Sequence, residues 1–217
     1  MSFKLTHNLP NRCLVAVSGG VDSASALHWL SQVKDRVAGV IHIHHNTGEF
    51  ADKAQELVEQ TVKEHPENIS LHVYRINRDP EEGSSLENFW RQQRYRFFQA
   101  ASIANNNLPV VLAHNLDDCL EEYIMCTMIR GFAGTIPYQH RSCIRPFRRW
   151  KKKDICRYAD RNDIKFLTDP SNSDTRYKRN FVRLNIVDKI RTLNPGIYNI
   201  VEKAIQDQDN HNQKEST

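Results

Sequence analysis

The stretch LVAVSGGVDSAS at residues 14–25 decides the fold of this chain. Its apolar first part predicts a buried strand, and a helical pattern begins directly after it. Gly19 and Gly20 allow a sharp turn and a close approach to a ligand, because they carry no Cβ. Free N–H groups in the first turn of the helix then face this loop. The stretch predicts a phosphate or pyrophosphate site formed by Ser18, Gly19, Gly20, Val21, Asp22 and Ser23.

The alternative for this loop is a tight strand-to-helix turn whose glycines serve only packing. The complete string SGGVDS, placed after a β-rich run, favours the phosphate site over that alternative. The loop is not a Walker loop, since no Gly-Lys-Ser or Gly-Lys-Thr follows the glycines. A phosphate site of another class is therefore expected.

Strands and helices alternate along the first half of the chain, which predicts βαβ units and a parallel sheet. We expect an α/β fold, with a doubly wound, mostly parallel sheet, helices on both of its faces and a small C-terminal helical segment. The predicted strands are Cys13–Val17, Val37–His44, Ser70–Ile76 and Val110–Ala113. The predicted helices between them are Ala24–Gln32, Asp52–Glu64 and Leu86–Ala104.

The second half reads as mainly helical. A helix from Asp117 to Arg130 ends at Gly131, and residues 131–150 read as irregular because of their glycines and prolines. Later helical patterns cover 151–162, the residues after 173 through 191, and 197–208. We therefore predict one domain over residues 1–191, a C-terminal helix over 192–208 and a disordered polar tail over 209–217.

Composition narrows the class of protein. No run of about 18 apolar residues is present, so no membrane span is expected. The segment MSFKLTHNLPNR has no apolar core and does not read as a signal peptide. The five cysteines are odd in number and scattered, with no C-x-x-C pair. They predict reduced thiols in a cytoplasmic protein and give no local support to an iron–sulfur or zinc site.

Residues 141–191 are strongly basic, with 16 Lys or Arg against 6 Asp or Glu, whereas the whole chain has a net charge of +4. This excess predicts a surface for a polyphosphate, with a solvated basic face as the alternative. The run RPFRRWKKK at 145–153 interleaves basic and aromatic groups, a mixture that suits RNA. Trp150 as plain core is the alternative there. A second positive stripe, at spacings of three and four, is formed by Arg176, Arg179 and Arg183.

Two further groups of residues carry charge at positions where chemistry is expected. Asp117 and Asp118 follow a predicted strand directly, at the same sheet edge as SGGVDS, and adjacent carboxylates opposite a phosphate loop suit Mg²⁺. One of them can instead cap the following helix. Arg91 and Arg94 share one face of an amphipathic helix and can hold an anion together, with a solvated basic face as the alternative.

Taken together, these features resemble the tRNA(Ile)-lysidine synthases, a family of PP-loop N-type ATP pyrophosphatases with a Rossmann-like fold. The resemblance covers about residues 12–191, nearly the whole catalytic domain of that family, whose members commonly carry further C-terminal domains. SGGVDS alone is shared by several families, whereas DPSN with a downstream RN-x-x-R is much more specific. The matching motifs are SGGVDS at 18–23, E-x-x-x-R-x-x-R-Y at 87–95, AHNLDD at 113–118, Arg130-Gly131, Ile144-Arg145-Pro146, DPSN at 169–172, and Arg179-Asn180 with Arg183.

The resemblance implies an AMP-forming ligase that acts in two steps. ATP would adenylate the C2 oxygen of the wobble cytidine in a tRNA(Ile) with a CAU anticodon, with release of pyrophosphate. The amine of free L-lysine would then displace AMP and leave lysidine. The expected cofactors are ATP and Mg²⁺, with L-lysine as co-substrate and the tRNA as partner, and a homodimer is compatible with the sequence.

The resemblance also implies a role for individual residues. The SGGVDS loop would hold ATP, and Asp22 with Asp117 or Asp118 would manage Mg²⁺ and pyrophosphate. Arg91 and Arg94 would stabilise charge at the reacting centre, which completes the predicted catalytic set. The predicted RNA-binding residues are Arg145, Arg148, Arg149, Lys151, Asp169, Ser171, Asn172, Arg176, Arg179, Asn180 and Arg183.

Two rival hypotheses remain open at this point. A tRNA thiolase of the 2-thiocytidine type would need catalytic cysteines, and Cys119 is the thiol placed near the predicted site, although a small buried hydrophobe is the simpler interpretation of it. A non-catalytic module that only binds tRNA or a nucleotide is the other. The complete set of serines and aspartates in the motifs argues against a degenerate site.

Overall fold

The computed structural model describes residues 9–77 and 86–214, and it carries a single six-stranded sheet with helices on both faces. The strands are β1 (Cys13–Ala16), β2 (Val37–His44), β3 (Ser70–Arg75), β4 (Val110–Val111), β5 (Gln139–His140) and β6 (Cys143–Ile144). The helices are α1 (Val21–Leu30), α2 (Glu49–Lys63), α3 (Leu86–Ala104), α4 (Leu116–Met125), α5 (Lys152–Arg161), α6 (Lys178–Asn185), α7 (Val187–Leu193) and α8 (Ile197–Lys214). A π-helical turn, Cys126–Arg130, extends α4, and a short 3₁₀ helix, Pro170–Ser173, precedes α6.

The strand order is β3-β2-β1-β4-β6-β5, and all neighbouring pairs are parallel except the β5–β6 hairpin. Leu14 of β1 pairs with Gly39 on one side and with Val110 on the other, so β1 lies in the middle of the sheet. The prediction of a doubly wound, mostly parallel sheet is confirmed. Because the order reverses beside β1, the loops after β1 and β4 meet at the carboxyl edge, where open α/β sheets bind ligands.

Each face of the sheet has its own apolar core. On one face α1, α2 and α5 cover the strands through residues such as Leu30, Val58 and Ala159. On the other face α3 contributes Tyr95, Phe98 and Ala101. A third cluster lies beyond the sheet and joins α4 to α6 and α8 through Leu120, Val182 and Val201.

Trp150 belongs to the first of these cores, so its interpretation as a core residue is the correct one. It is 4 % exposed, and the ring of Trp29 meets it edge-on at 5.3 Å. An aromatic ring buried in this way is not available to stack on a base.

Strands β5 and β6 lie in the segment 131–150 that reads as irregular in the sequence. Each is only two residues long, too short to show a period of two, and β6 is stabilised by its parallel pairing with β4 rather than by any local signal. The remaining strands match their predicted ranges within two residues. The predicted helix from Asp117 to Arg130 is α4 followed by the π-helical turn, which ends at the left-handed residue Gly131.

The predicted disordered tail over 209–217 is wrong for residues 209–214, because α8 continues to Lys214. Asp209 is 6 % exposed and its two carboxylate oxygens accept hydrogen bonds from Arg148 Nη2 at 2.9 and 2.7 Å. A buried cation needs a counter-ion, and this contact holds the last turns of α8 against the domain. Residues 215–217 of the tail and the first eight residues of the chain lie outside the described residues. No helix in the described ranges is both long and apolar enough to cross a membrane.

Candidate active site at the carboxyl edge of the sheet

The SGGVDS loop turns between β1 and α1 as the glycines predict. Gly19 has φ +86°, a left-handed conformation that favours glycine, and a Cβ there would meet Ala54 at 3.4 Å. The hydroxyls of Ser18 and Ser23 lie 3.2 Å apart, and Ser23 Oγ accepts a hydrogen bond from the Ser18 N–H at 3.1 Å. No side chain caps the N-terminus of α1, so the amides of its first turn are available to an anion.

Asp22, in the first turn of α1, connects the phosphate loop to the two elements that follow β4 and β6. Its Oδ1 accepts a hydrogen bond from Asn115 Nδ2 at 3.0 Å, and its Oδ2 lies 2.5 Å from the Lys152 ammonium. Lys152 stands in the basic run but was not among the predicted site residues. Its side chain is 42 % exposed, so it can move away when another cation or a phosphate arrives.

Asp117 and Asp118 take different roles, although they are adjacent in sequence. Asp117 accepts hydrogen bonds from the Lys152 amide at 2.7 Å and from Tyr198 Oη at 2.6 Å, so it caps α5 and anchors α8. Asp118 forms a reciprocal capping box with Asn115, and it also lines a cavity. Burial, and then the charge of Glu121, raises the pKa of Asp118 to about 6. The structure therefore favours Asp118 over Asp117 as the functional member of the pair.

A cavity of about 460 Å³ opens beside the SGGVDS loop and contains most of the predicted catalytic residues. Its wall carries Ser18, Gly20, Asp22 and Ser23 from the loop, together with apolar side chains from β2 and from residues 112–113 directly after β4. Three carboxylates and three guanidinium groups line it. These are Asp22, Asp118 and Asp169, and Arg91, Arg94 and Arg179.

Three imidazoles also line the cavity, and sequence reasoning gave none of them a role. His42 lies within β2, and burial lowers its pKa. His45 and His114 are the other two. Burial, followed by the charge of Arg94, lowers the pKa of His45 to about 4. Burial, followed by the charge of Arg145, lowers the pKa of His114 well below its usual value. Both rings are therefore neutral at pH 7. Their positions directly after β2 and β4, at the edge that binds ligands, were the signal that could have identified them.

The loop before the 3₁₀ helix reaches the phosphate loop. The Leu167 N–H donates a hydrogen bond to the Gly19 carbonyl at 2.9 Å, and Asp169 lines the cavity two residues later. Asp169 also accepts a hydrogen bond from the Ser171 N–H at 2.8 Å. The DPSN segment thus lies at the mouth of the cavity that SGGVDS begins, while Ser171 and Asn172 are exposed there.

Arg145 and Arg148 are not RNA-binding residues in this structure, and both predictions are corrected. They are 2 % and 0 % exposed. Arg145 donates hydrogen bonds to the Pro137 carbonyl at 3.0 Å and to Tyr95 Oη at 2.7 Å. Arg148 is held by Asp209, as described above. The sequence pattern did not show that these cations join segments 50 and 61 residues away rather than solvent.

The two arginines of the stripe that lie on α6 are paired with acidic residues of α4. Arg183 contacts Glu121 through Nε at 2.6 Å and Nη2 at 3.0 Å, and Arg179 Nη2 lies 2.5 Å from Glu122. Glu121 is 3 % exposed, so these pairs hold α6 against α4. Arg179 keeps a place in the cavity wall, whereas Arg183 acts mainly as a structural contact in this state.

The remaining predicted RNA-binding residues are accessible to different extents. Arg176 is exposed and pairs with Asp174, and Asn180 Nδ2 holds the DPSN turn through the carbonyls of Ser171 and Asp174. Arg149 Nη2 donates to Gln206 at 2.6 Å. Lys151 lies over the ring of Tyr198 at 5.0 Å.

Cys119 does not have the environment of a catalytic thiol. It is fully buried, and burial raises its pKa to about 12. Since the thiolate is the reactive form, this cysteine is an inert core residue. Cys119 therefore gives no support to the thiolase hypothesis.

The carboxylates of the cavity fit a magnesium ion that is bound together with phosphates. Mg²⁺ at nucleotide sites takes one or two carboxylates, with phosphate oxygens and water completing the octahedron. Asp22 and Asp118 both line the cavity, and a cation could replace Lys152 at Asp22. Within the described ranges no three His, Cys, Asp or Glu side chains form a metal-binding group, so such an ion would depend on the nucleotide.

The fold and this site define a nucleotide-binding α/β protein of the PP-loop class, and comparison with known families agrees. A family model described as a PP-loop domain matches residues 3–190. The chain belongs to that family.

Curated relatives give a more particular likeness. The chain is 29 % identical over 203 residues to the tRNA(Ile)-lysidine synthase of Thermotoga maritima, covering 88 % of this chain and 48 % of that protein. It is 32 % identical over 191 residues to the one of Mesoplasma florum, covering 85 % of this chain and 47 % of that protein. The chain spans about half the length of these relatives.

Solved structures confirm the fold. The U34-tRNA thiolase NcsA of Methanococcus maripaludis superposes with a TM-score of 0.71 at 17 % identity, over 94 % of this chain and 74 % of that one. The NH₃-dependent NAD synthetase of Campylobacter jejuni superposes with a TM-score of 0.52 at 18 % identity, over 93 % of this chain and 86 % of that one.

Proposed function

We propose that this chain uses ATP to modify the wobble cytidine of a CAU-anticodon tRNA(Ile), joining L-lysine to C2 with release of AMP and pyrophosphate. One observation carries the proposal above all: a single cavity combines the SGGVDS loop, three carboxylates and three guanidinium groups. The names of the curated relatives support the choice of tRNA and lysine as substrates.

The first step forms a bond between the C2 oxygen of cytidine and the α-phosphorus of ATP, and pyrophosphate leaves. The amides of α1 and the hydroxyls of Ser18 and Ser23 would hold the phosphates. Mg²⁺, bound at Asp22, would neutralise the charge of the departing pyrophosphate. Arg91 and Arg94 would stabilise the charge that develops in the transition state, since both face the same cavity.

The second step needs an amine that has lost its proton. Lysine is almost entirely protonated at pH 7, so the site must accept a proton as the amine attacks C2 and the bond to AMP breaks. Asp118 is suited to that task, because its raised pKa makes it a stronger base than an ordinary carboxylate. The neutral imidazoles of His45 and His114 add no positive charge that would repel the lysine ammonium.

The target base has to reach the cavity from an RNA loop. A base in an anticodon loop is unpaired, so moving it into a pocket costs less than opening a duplex. The DPSN turn with Asp169, at the cavity mouth, would contact the RNA on this side. The accessible groups of the predicted set there are Ser171, Asn172, Arg176 and Arg179.

The test is the incorporation of radiolabelled L-lysine into a CAU-anticodon tRNA(Ile) transcript, with and without ATP and Mg²⁺. ATP-dependent labelling that is lost when the wobble cytidine is changed to uridine is the expected result. A transcript with a methionine-tRNA body and the same anticodon serves as a control for tRNA selection.

Other outcomes would overturn the proposal in distinguishable ways. AMP release that depends on tRNA, without labelling, would retain the adenylating chemistry and require another nucleophile. Neither AMP nor label, together with intact tRNA binding, would favour the non-catalytic module.

A further inference from the structure

Two guanidinium groups flank one aromatic ring at the edge of the cavity. The Arg91 guanidinium carbon lies 5.2 Å from the centroid of the Tyr95 ring, and that of Arg141 lies 5.8 Å from the same centroid. Arg91 and Tyr95 line the cavity, whereas Arg141 lies beyond it on the β5–β6 hairpin. Arg141 is not among the residues that the sequence motifs singled out.

Arg141 occupies a backbone position that does not suit it. It is the first residue of the two-residue turn between β5 and β6, and its φ is +55°. Turns of this kind favour glycine or asparagine at a left-handed residue, because a Cβ there crowds the backbone. A long side chain held in such a conformation indicates a role other than forming the turn.

The charges of both arginines are available to a ligand. Both residues are exposed, and among the side chains that the structure describes neither guanidinium forms an ion pair or donates a hydrogen bond. Burial, and then Arg145, Arg141 and Arg91, lowers the pKa of the neighbouring His140, so the positive charges act together at this place. By contrast, the arginines of α6 are paired with α4.

A phosphodiester is the ligand that fits this arrangement. A guanidinium that rests on an aromatic face keeps its planar N–H donors free at the rim, where they can bind two phosphate oxygens. Contacts of this kind position a nucleic acid without reading its sequence. The place of the pair, beside the cavity wall, matches a strand whose base enters the cavity while its backbone stays outside.

We propose that Arg141, held beside the Tyr95 ring that Arg91 contacts from the cavity, binds a backbone phosphate of the RNA next to the nucleotide that enters the cavity. This inference rests on the proposed function for the identity of the RNA. In place of the buried Arg145 and Arg148, it assigns an RNA contact to the tip of the β5–β6 hairpin.

The turn offers a variant that separates binding from folding. Arg141→Gly removes the guanidinium and suits φ +55°, so the melting temperature should be unchanged or raised. Asn106→Gly, at the same φ of +55°, controls for the backbone change. Arg161→Ala, an exposed arginine on α5 at the opposite face of the sheet, controls for the loss of one positive charge.

The measurement is the anisotropy of a fluorescent CAU anticodon stem-loop, titrated between about 50 and 200 mM salt. Arg141→Gly should weaken binding several-fold at the lowest salt and flatten the plot of log K against log salt by roughly one unit. Both controls should keep the wild-type slope. Lysine incorporation is measured on the same proteins with saturating tRNA.

The results distinguish a failure of the phosphate contact at Arg141 from a failure of the proposed lysidine reaction. A wild-type slope for Arg141→Gly, in a protein that incorporates lysine, would overturn the phosphate contact and leave the proposed function standing. A flattened slope in a protein that never incorporates lysine would support the contact and overturn the lysidine reaction.

Discussion

The ion pair between Arg148 and Asp209 provides the sharpest stability test. The two side chains are 0 % and 6 % exposed, and both carboxylate oxygens of Asp209 accept hydrogen bonds from Arg148 Nη2. Arg148 Nη1 donates to the Ile136 carbonyl at 3.0 Å, so the cation cannot turn to solvent without losing that bond as well. Asp209→Asn keeps the shape of the side chain and leaves a buried, uncompensated charge.

Removing one partner of a buried pair costs about 3–5 kcal/mol. For a domain of this size, each kcal/mol corresponds to roughly 2–4 °C, so the melting temperature of Asp209→Asn should fall by about 6–20 °C. Asp207→Asn, an exposed change two residues earlier on the same helix, should stay within about 0.5 kcal/mol of the wild type. Thermal and urea unfolding, followed by circular dichroism, measure both.

A paired substitution distinguishes charge from packing. Arg148→Met with Asp209→Leu should recover most of the lost stability, because well-packed apolar groups can replace a buried ion pair. Equal stabilities for Asp209→Asn and Asp207→Asn would refute the reasoning, since the C-terminal turns of α8 would then contribute nothing through this contact.

Three further predictions concern the site and the thiols. Asp22→Asn should reduce AMP formation by at least about 100-fold, while its RNA affinity stays within twofold of the wild type. Asp163→Asn, which changes an exposed carboxylate, is the control and should alter neither AMP formation nor RNA affinity. His45 has a pKa of about 4 when folded and 6.5 when unfolded, so its contribution to stability is complete above pH 6.5 and is lost towards pH 4. That contribution to the free energy of unfolding is at most about 3 kcal/mol. In urea titrations the His45→Gln variant should therefore lose less stability between pH 7 and pH 4 than the wild type does. An equal loss in both proteins would contradict the lowered pKa of His45. Native protein treated with a thiol reagent at pH 8 should react rapidly at Cys156 and slowly at the other four cysteines, because those four thiols are buried. Rapid labelling of the Cys156→Ser variant would contradict this prediction, since it would show that the core opens to the reagent.

Local signals predicted the fold class because each element of the first half carries its own pattern. The strand, the glycines and the helix of SGGVDS are consecutive, so the phosphate loop and its left-handed Gly19 follow from neighbouring residues. The alternation of strands and helices then restricts the topology to a parallel sheet, and parallel strands bring their loops to one edge. These rules also bring Asp22 and Asp118 to the same cavity.

Whether a basic residue is buried or exposed depends on partners that are distant in the sequence. Arg148 and Arg141 are both cations of the same basic segment, yet Arg148 is buried against Asp209 and Arg141 is exposed beside Tyr95. A periodic pattern cannot distinguish them, since the pairing of Arg148 spans 61 residues.

The sequence by itself thus determined the phosphate loop, the parallel sheet and the edge at which a ligand binds, because short-range backbone preferences and hydrophobic patterning suffice for these. The tertiary structure alone decided which carboxylate of Asp117 and Asp118 faces the cavity and which basic residues remain accessible. It also decided that α8 continues to Lys214. Those outcomes follow from burial, since a charge removed from water must find a partner, and the partner is chosen by the fold and not by the neighbouring residues.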